Sequence, residues 1–402
     1  MRVAVFEFLC SSGSYRDDGP NGPFAALLDE GAAMLLALAS DLAACGHRVT
    51  VALEPSIQAA WKSCGLKSAA LDRLEVHRVQ AASSDCDPDI EAIATHWARI
   101  ASTCDTSIVI APELDGLLPE LVESLRRKGC SVTAPEAGFL KVASDKWETY
   151  HRWISQEQPT VPTWLASDWI ESSDRRIAGS TQSDAMKNAK TDGWVLKRRR
   201  GAGGTDMQRF ANRASLIGKL GKLHDLSAWI VQPWILGQSV SLALAGAWGG
   251  PQGTLPKAFG PTVQLFGTGC SIDKSTDKAT DKATDNATGC ELLGSYVGGY
   301  GPLEVDPQEL ERFAMGLLGA LPPPGAKSGW IGVDFLILPG GPWIAGGPWI
   351  ALEINARLTS SYLGYRKYYG PKLADTILGG PMPDRPFPNP GAFRFSVNDF
   401  HG

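Results

Sequence analysis

The sequence predicts an α/β protein, because its first 53 residues hold a strand, a helix and a second strand in succession. Residues 3–9 are predicted to form a buried strand, residues 24–44 are rich in Ala and Leu at helical spacing, and residues 48–53 are predicted to form a second strand. This succession is typical of an open α/β layer. Ligands bind such layers beyond the carboxyl ends of the strands. Here these ends lie near residues 7–13 and after a further predicted strand at 107–111.

The composition of the rest of the chain indicates two or three domains in 402 residues. A predicted helix at 144–155 precedes an acidic, Ser-rich stretch, and from residue 193 short strands alternate with glycine loops. These strands are predicted at residues 194–197, 229–235, 239–243, 331–338 and 349–354. We therefore predict an N-terminal α/β domain at 1–133, a central subdomain at 134–192, a C-terminal subdomain at 193–380 and a Pro-rich tail at 381–402.

Two internal repeats interrupt the predicted strands. Residues 273–288 are four tandem polar tetrads, each beginning with Asp and ending with Thr. They have no apolar surface to bury, so we predict a low-complexity insertion that forms a surface loop. The sequence Gly-Gly-Pro-Trp-Ile-Ala at 340–345 recurs at 346–351. This recurrence indicates a hairpin turn lengthened by duplication.

The composition excludes several classes of function. The formal charge is −5 and no long Lys/Arg block occurs, so nucleic acid and membranes are poor partners. The longest apolar stretch, residues 24–45, contains Asp29, Glu30 and Asp41 and cannot span a bilayer. The eight cysteines include no Cys-x-x-Cys pair and the six histidines lack metal-ligand spacing, which argues against zinc. Reduced cysteines are typical of the cytoplasm, and we predict a cytoplasmic protein.

The first functional motif is a lysine followed by a glycine-rich turn. A predicted strand carries Lys197 and leads to Gly201, Gly203 and Gly204. Glycines allow backbone N–H groups to approach phosphate oxygens, and the lysine adds a positive charge. No Gly-Lys-Ser/Thr follows, so this is not a Walker A loop. On its own, such a turn is as often structural as functional.

The second motif, Gln232-Pro233-Trp234-Ile235, resembles the segment that joins the two halves of a nucleotide cleft and binds adenine through main-chain atoms. Adenine needs a C=O acceptor and, two residues on, an N–H donor. Pro233 lacks an N–H but keeps its C=O, and Ile235 keeps its N–H. The alternative is an ordinary buried strand that ends at Gly237.

The third motif combines Asp334 with Glu353, Asn355 and Arg357. Residues two apart on a strand share one face, so Glu353 and Asn355 point the same way, and Asp334 on a neighbouring strand can join them. Two carboxylates and an amide oxygen suit Mg²⁺, which shares its coordination shell with substrate phosphates. Arg357 on the same face can stabilise a developing phosphate charge. The alternative is a solvated acidic edge.

In this order the motifs resemble those of the ATP-grasp superfamily, and the resemblance spans about residues 134–372. It implies an open α/β pre-ATP-grasp domain followed by a two-lobed α+β ATP-grasp domain. It also implies ATP and two Mg²⁺ ions, or Mn²⁺ in their place. Lys146 and Lys197 match the lysines that contact the nucleotide phosphates, and Asp334, Glu353 and Asn355 match the metal ligands.

The resemblance implies further roles in the same cleft. Lys197 and Arg357 are the expected catalytic residues. The nucleotide site is expected at Lys146, Lys197, Gly201, Gly203, Gly204, Gln232, Pro233, Trp234, Ile235 and Gln238. Gln238 stands where related proteins often carry an acidic residue for the ribose, and an amide can still bond hydroxyls.

A narrower resemblance is to the tyramine–glutamate ligases of methanofuran biosynthesis. The similar segments are residues 5–8, 30–34, 110–113, 298–302 and 353–364. This similarity implies a role in one-carbon metabolism, where the γ-carboxylate of glutamate is joined to an aromatic amine. The expected substrate-site residues are Glu7, Glu113, Arg357, Ser360 and Ser361.

The implied activity is an ADP-forming carboxylate–amine ligase that forms an amide through an acyl phosphate. Two other functions fit the motifs: a kinase of this fold that stops at phosphoryl transfer, and a non-catalytic nucleotide-binding regulator. An amide product distinguishes the ligase from the kinase, and intact metal ligands argue against the regulator. The expected partners are small-molecule carboxylate and amine substrates, and the sequence leaves open whether the chain forms a homodimer.

Overall fold

The computed structural model of the chain describes residues 1–12, 25–55, 57–58, 72–79, 89–171, 191–204, 207–246, 256–266, 284–285, 290–292, 296–327, 329–339, 349–383, 389 and 391–397. These residues form three β-sheets with helices packed against them. Within this part of the chain, no helix is both long enough and apolar enough to cross a membrane.

The N-terminal sheet has four parallel strands in the order β3-β2-β1-β4. The strands are β1 Arg2–Glu7, β2 Arg48–Leu53, β3 Leu74–Arg78 and β4 Thr106–Ile110. Its helices are α1 Phe8–Ser11, α2 Ala25–Ala44, α3 Ile90–Ala101 and α4 Leu117–Arg127. Strand β1 is apolar from residue 3 to residue 6 because both faces of the sheet are covered there. Phe6 stacks on Trp97 of α3 with ring centroids 4.7 Å apart, whereas Val5 lies in the core formed with α2.

The second sheet has six antiparallel strands in the order β12-β13-β7-β6-β8-β5. They are β5 Trp164–Leu165, β6 Thr191–Arg198, β7 Gln208–Phe210, β8 Trp229–Ile235, β12 Thr284–Asp285 and β13 Cys290–Leu292. The helices in this part of the chain are α5 Ala137–Ala143, α6 Lys146–Ser155, α7 Ala166–Glu171 and α8 Arg213–Leu220, with a 3₁₀ turn at Leu226–Ala228.

The third sheet has seven antiparallel strands, six of them in the order β16-β15-β9-β11-β14-β17 with β10 paired to β9. They are β9 Gln238–Gly246, β10 Lys257–Ala258, β11 Thr262–Phe266, β14 Tyr296–Gly301, β15 Gly329–Ile337, β16 Trp349–Asn355 and β17 Phe393–Ser396. The last helices are α9 Pro307–Gly319, α10 Ser361–Tyr369 and α11 Leu373–Ile377. Strands β8 and β9 lie in different sheets and are separated only by Leu236 and Gly237. The chain passes here from the six-stranded to the seven-stranded sheet and returns to the six-stranded sheet at β12 and β13. The subdomain boundary at residue 193 stays a prediction.

The elements predicted from the sequence agree with the structure at the strands 48–53 and 229–235 and at the helix 24–44, whose first residue lies outside the described ranges. The strand predicted at 3–9 is wrong at its end. It stops at Glu7, because the Glu7 carboxylate accepts the backbone N–H of Cys10 at 2.8 Å and caps α1. The helix predicted from residue 144 begins at Lys146.

The two repeats fall largely outside the described residues. Of the tetrad segment 273–288, the structure describes only Thr284–Asp285. These two residues form β12 and pair with β13, so the surface-loop prediction is wrong for them. Residues 340–348 of the duplicated segment are not described, but β15 and β16 pair antiparallel on either side of it, as a hairpin requires.

Candidate active site

A cleft of about 490 Å³ is lined by the six-stranded sheet, the seven-stranded sheet and helix α2. It lies where the chain crosses from one sheet to the other. Thirteen of the predicted site residues line it: Lys146, Lys197, Gly201, Gly203, Gly204, Gln232, Pro233, Trp234, Ile235, Asp334, Glu353, Asn355 and Arg357. Gln238 is the residue of the predicted nucleotide, metal and catalytic sets that the described lining does not include.

One end of the cleft has apolar walls and the main chain of residues 232–235. The walls are Val161, Val195, Leu336 and Leu352. The Gln232 side chain is buried, and its amide donates to Thr163 Oγ1 at 2.8 Å. Since that side chain is already bonded, Gln232 can offer a ligand its backbone atoms, and the ligand would lie among apolar side chains. The arrangement suits a planar base such as adenine.

In the middle of the cleft, two lysine side chains form ion pairs with one carboxylate. Lys197 Nζ lies 3.3 Å and Lys146 Nζ 3.5 Å from Glu353 Oε2, and Lys146 also donates to the Gly201 carbonyl at 2.7 Å. Burial raises the pKa of Glu353, but the two lysines outweigh it and lower this pKa overall. Burial lowers the pKa of Lys197. The lysine charges therefore lie together beside the glycine turn, where they can bind phosphate groups.

Lys146 reaches this position because its helix is tied to the end of β6. Asp145 caps α6 by accepting the backbone N–H groups of residues 147 and 148. Its carboxylate also accepts Arg199 Nε at 2.8 Å and forms an ion pair with Arg200 at 3.1 Å. The Lys146 backbone N–H donates to the Arg199 carbonyl at 3.1 Å. The two lysines of the cleft are thus held together although 51 positions separate them in sequence (197 − 146).

Asp334 lies directly opposite Glu353 in the β15–β16 ladder. Pairing is irregular after this position, since Phe335 faces Ala351 and Leu352 has no partner in the ladder. This β-bulge turns both Leu352 and Glu353 toward the cleft. Burial, and next the charge of Glu353, raise the pKa of Asp334. The two carboxylates repel each other unless a cation lies between them.

The donor set fits a magnesium ion that shares its coordination shell with phosphate. Asn355 Nδ2 donates to Asp334 Oδ2 at 2.9 Å, and Gln264 Nε2 donates to Asp334 Oδ1 at 3.1 Å. Among the described residues, no group of three or more His, Cys, Asp or Glu is placed to hold a metal. Two carboxylates with nearby amides leave coordination positions for phosphate oxygens and water, as Mg²⁺ requires. Gln264 was not predicted from the sequence.

The other end of the cleft is formed by Arg357, Ser360 and Glu30. Arg357 Nε donates to Glu113 Oε2 at 3.0 Å, and its Nη1 donates to the Leu358 carbonyl at 3.2 Å. Glu113 is 3% exposed, so this is a buried ion pair. Burial raises the pKa of Glu30, and the charge of Arg357 opposes this rise. The described lining includes Glu30, which the sequence-based site omitted, and it lacks both Glu7 and Glu113.

Two expected substrate residues are therefore wrong as direct ligands. Glu7 is buried at the start of α1, and its carboxyl group lies against Gly31, where an added Cβ would come within 2.5 Å. Glu113 acts through Arg357, which it holds in place. Ser360 and Ser361 line the cleft as expected.

Comparisons with known proteins agree with this geometry. Residues 66–137 match the pre ATP-grasp 3 domain, and residues 143–252 match the ATP-grasp domain. The chain has a pre-ATP-grasp domain followed by an ATP-grasp domain. The predicted fold class is thereby confirmed. No curated protein matches the chain.

Solved structures share the ATP-grasp fold over nearly the whole chain. An ATP-grasp superfamily protein from Archaeoglobus fulgidus is 18% identical, with a TM-score of 0.55, over 95% of this chain and 89% of that one. The biotin carboxylase domain of 2-oxoglutarate carboxylase from Hydrogenobacter thermophilus was solved with MgADP and bicarbonate. It is 13% identical, with a TM-score of 0.58, over 96% of this chain and 70% of that one. Carboxyaminoimidazole ribonucleotide synthase from Aspergillus clavatus, solved with ATP, is 12% identical, with a TM-score of 0.55, over 96% of this chain and 78% of that one.

Gln238, the residue predicted to contact the ribose, is not part of the described cleft lining, and this assignment stays a prediction. Its side-chain amide donates to the Tyr300 hydroxyl at 3.5 Å, and the described lining contains Ser239 and Ser241 instead. Side chains alternate along β9, so a shift of one residue changes the face. Ser239 Oγ donates to Gln264 Oε1 at 2.6 Å, which links this strand to Asp334. Ser239 is therefore a hydroxyl-bearing side chain of the cleft that the sequence-based site omitted.

The glycine turn of the ATP-grasp domain packs against the N-terminal domain. Gly203 and Gly204 have φ values of +65° and +70°, a conformation that favours glycine. A Cβ on Gly203 would lie 2.5 Å from Leu27 Cδ2 on α2. The turn therefore covers the cleft in contact with the helix that carries Glu30.

Proposed function

We propose that this chain is an ATP-dependent, ADP-forming ligase that joins a carboxylate to an amine through an acyl phosphate. The observation that carries the proposal is the arrangement at Glu353. Two lysines meet its carboxylate, and Asp334 lies opposite it on the next strand. Positive groups for a polyphosphate thus lie beside an oxygen set suited to Mg²⁺.

The proposed reaction begins with attack of the substrate carboxylate oxygen on the γ-phosphorus of ATP, while the bond to the β-phosphate oxygen breaks and ADP leaves. Lys146 and Lys197 neutralise phosphate charge, and the glycine turn excludes water from the acyl phosphate. Arg357, held by Glu113, is placed to stabilise the transferring group. Two Mg²⁺ ions, or Mn²⁺ in their place, held by Asp334, Glu353 and Asn355, would polarise that group and offset its charge.

The amine nitrogen then attacks the acyl carbon, and phosphate leaves with the electron pair of the C–O bond. The nitrogen loses its excess protons, and the products are an amide, ADP and phosphate. The mechanism uses no protein nucleophile. The sequence agrees, since it has no Ser-His or Cys-His motif.

Our finer proposal is that the donor is the γ-carboxylate of glutamate and the acceptor an aromatic amine such as tyramine. The segments similar to tyramine–glutamate ligases support it, and residues 30–34 and 353–364 of that set contain the cleft residues Glu30, Glu353 and Ser360. The corresponding place in metabolism is the biosynthesis of methanofuran in the cytoplasm.

We would measure ADP release with glutamate, aspartate or γ-methyl glutamate, each with tyramine present. Glutamate should give the highest rate, and blocking its γ-carboxyl group should abolish turnover. Equal rates with aspartate, or turnover of the γ-ester, would contradict the γ-glutamyl assignment. Detection of the amide by mass spectrometry separates a ligase from a kinase, and absence of ADP release would favour a nucleotide-binding regulator.

A further inference from the structure

The end of the cleft beyond the metal ligands carries an excess of negative charge. Glu30 and Glu113 lie near one cation there, Arg357, whose Nε already donates to Glu113. The exposed fraction of the Arg357 side chain is 9% and that of Glu113 is 3%, so this ion pair is shielded from water. Glu30 lines the cleft itself. A buried carboxylate without a full counter-charge is unfavourable, and a positively charged ligand would complete the set.

Glu30 is held in a fixed position. The next residue, Gly31, packs against the Glu7 carboxyl group, where any Cβ would clash at 2.5 Å. Glycine therefore allows helix α2 to approach the end of β1 and brings Glu30 to the cleft. The Ser360 hydroxyl hydrogen-bonds the Glu30 carboxylate and also bonds Tyr296.

The wall next to Glu30 is aromatic. Tyr296 and Phe266 both line the cleft, with ring centroids 6.0 Å apart in an edge-to-face arrangement. The charges of Glu30 and Asp334 both act on the Tyr296 hydroxyl, so Glu30 lies within electrostatic range of the proposed phosphate-transfer centre. Aromatic faces and a carboxylate together favour an organic cation over a metal ion.

We propose that Glu30, with Ser360 and Tyr296, forms a subsite for a substrate ammonium group. This inference rests on the proposed ligase function. Two ammonium groups belong to that reaction: the acceptor amine in its protonated form and the α-ammonium of an amino-acid donor. Both make the same charge-assisted hydrogen bond to the carboxylate, and they are distinguished by experiment.

The test uses the variant Glu30→Gln and two competing nucleophiles, tyramine and hydroxylamine, with ATP, Mg²⁺ and glutamate. Hydroxylamine is uncharged at neutral pH and traps an acyl phosphate as a hydroxamate. Both products come from one intermediate, so their ratio does not depend on how much variant protein is folded or how fast the intermediate forms. The matched control is Asp29→Asn, which removes the same charge one residue away at an exposed position of α2.

If Glu30 holds the acceptor, Glu30→Gln should shift the amide-to-hydroxamate ratio toward hydroxamate by roughly 10- to 100-fold, the effect of losing one hydrogen bond to a charged group. If it holds the donor, the ratio should stay constant while KM for glutamate rises about tenfold or more. KM for glutarate, which lacks the amino group, should then not change. The proposed subsite is overturned if Glu30→Gln changes neither the amide-to-hydroxamate ratio nor KM for glutamate. It is also overturned if KM for glutarate rises as much as KM for glutamate. A wild-type protein that makes neither product would contradict the ligase function itself.

Discussion

The substitution Glu353→Gln removes the negative charge that two buried lysines share. Lys197 and Lys146 lie 3.3 and 3.5 Å from the same oxygen, and their side chains are 11% and 8% exposed. Neutralising one partner of a buried ion pair costs roughly 3–5 kcal/mol. We expect about 2–3 kcal/mol here, because Glu353 is 21% exposed and the Gln amide oxygen still accepts a hydrogen bond.

The same substitution should affect catalysis and nucleotide binding in opposite directions. Loss of a charged metal ligand should lower turnover by two or more orders of magnitude, roughly 3 kcal/mol of barrier. The phosphates of ADP, however, supply the charge that the variant lacks. ADP added without metal should therefore bind the variant at least as tightly as the wild type and recover most of the lost stability.

The assay is thermal unfolding with and without ADP in EDTA, combined with ADP release at limiting Mg²⁺. Glu123→Gln is a matched control. Glu123 lies between Lys141, at 3.3 Å, and Arg127, at 3.9 Å, outside the cleft lining. This control should keep its turnover and change the free energy of unfolding by less than about 1 kcal/mol. Near-normal turnover of Glu353→Gln, or failure of ADP to restore its stability, would refute the reasoning.

Three further predictions concern other parts of the chain. Asp334→Asn should fold normally and lose two or more orders of magnitude in turnover, which corresponds to a rise of roughly 3 kcal/mol in the activation barrier. Activity close to that of the wild type across a Mg²⁺ titration would exclude Asp334 as a metal ligand. Burial raises the pKa of Glu7 from 4.5 to about 7, so the stability linked to its protonated form is complete below about pH 4.5 and is lost as the pH rises through 7. Between pH 5 and 8 the free energy of unfolding of the wild type, measured in urea, should fall by up to about 3 kcal/mol relative to that of Glu7→Gln. The same pH dependence in both proteins would contradict the raised pKa of Glu7. Replacing residues 273–288 by a short Gly-Ser turn should leave turnover within a few-fold; a large fall in ATP affinity would show that the segment contributes to the cleft.

The sequence predicts correctly those strands and site residues that depend on a local pattern. Glu353 and Asn355 are two residues apart on β16, and alternation along this strand brings both to the cleft. Arg357 lies two residues beyond the end of β16 and also lines the cleft. Strand β2 was predicted at its full length because its six residues are rich in Val, Thr and Leu and follow directly after the end of a helix. Strand β1 ended early because Glu7 caps a helix, a role that depends on the backbone turn after it.

The residues missed are those whose position depends on tertiary contacts. Gln264 reaches Asp334 because β11 and β15 both pair with β9, and no sequence spacing reveals that order. Glu30 reaches the cleft through the docking of α2 on the N-terminal sheet. Its signals in the sequence were an acid in a largely apolar helix and its place in the segment 30–34, which is similar to tyramine–glutamate ligases. Gln238 was predicted from its place after Gly237, where related proteins often carry an acidic residue, whereas the cleft lining includes its neighbour Ser239 on the alternate face of β9.

The transfer of oxygen-18 from the carboxylate substrate to phosphate tests the proposed ligase chemistry most directly. Glutamate labelled in both γ-carboxylate oxygens would be incubated with ATP, Mg²⁺, tyramine and the full chain, and the phosphate and amide analysed by mass spectrometry. An acyl phosphate requires one labelled oxygen to appear in inorganic phosphate for each amide formed, with ADP as the nucleotide product. Amide formation with the second labelled oxygen released to water instead of phosphate, or label found in AMP, would contradict the acyl-phosphate mechanism.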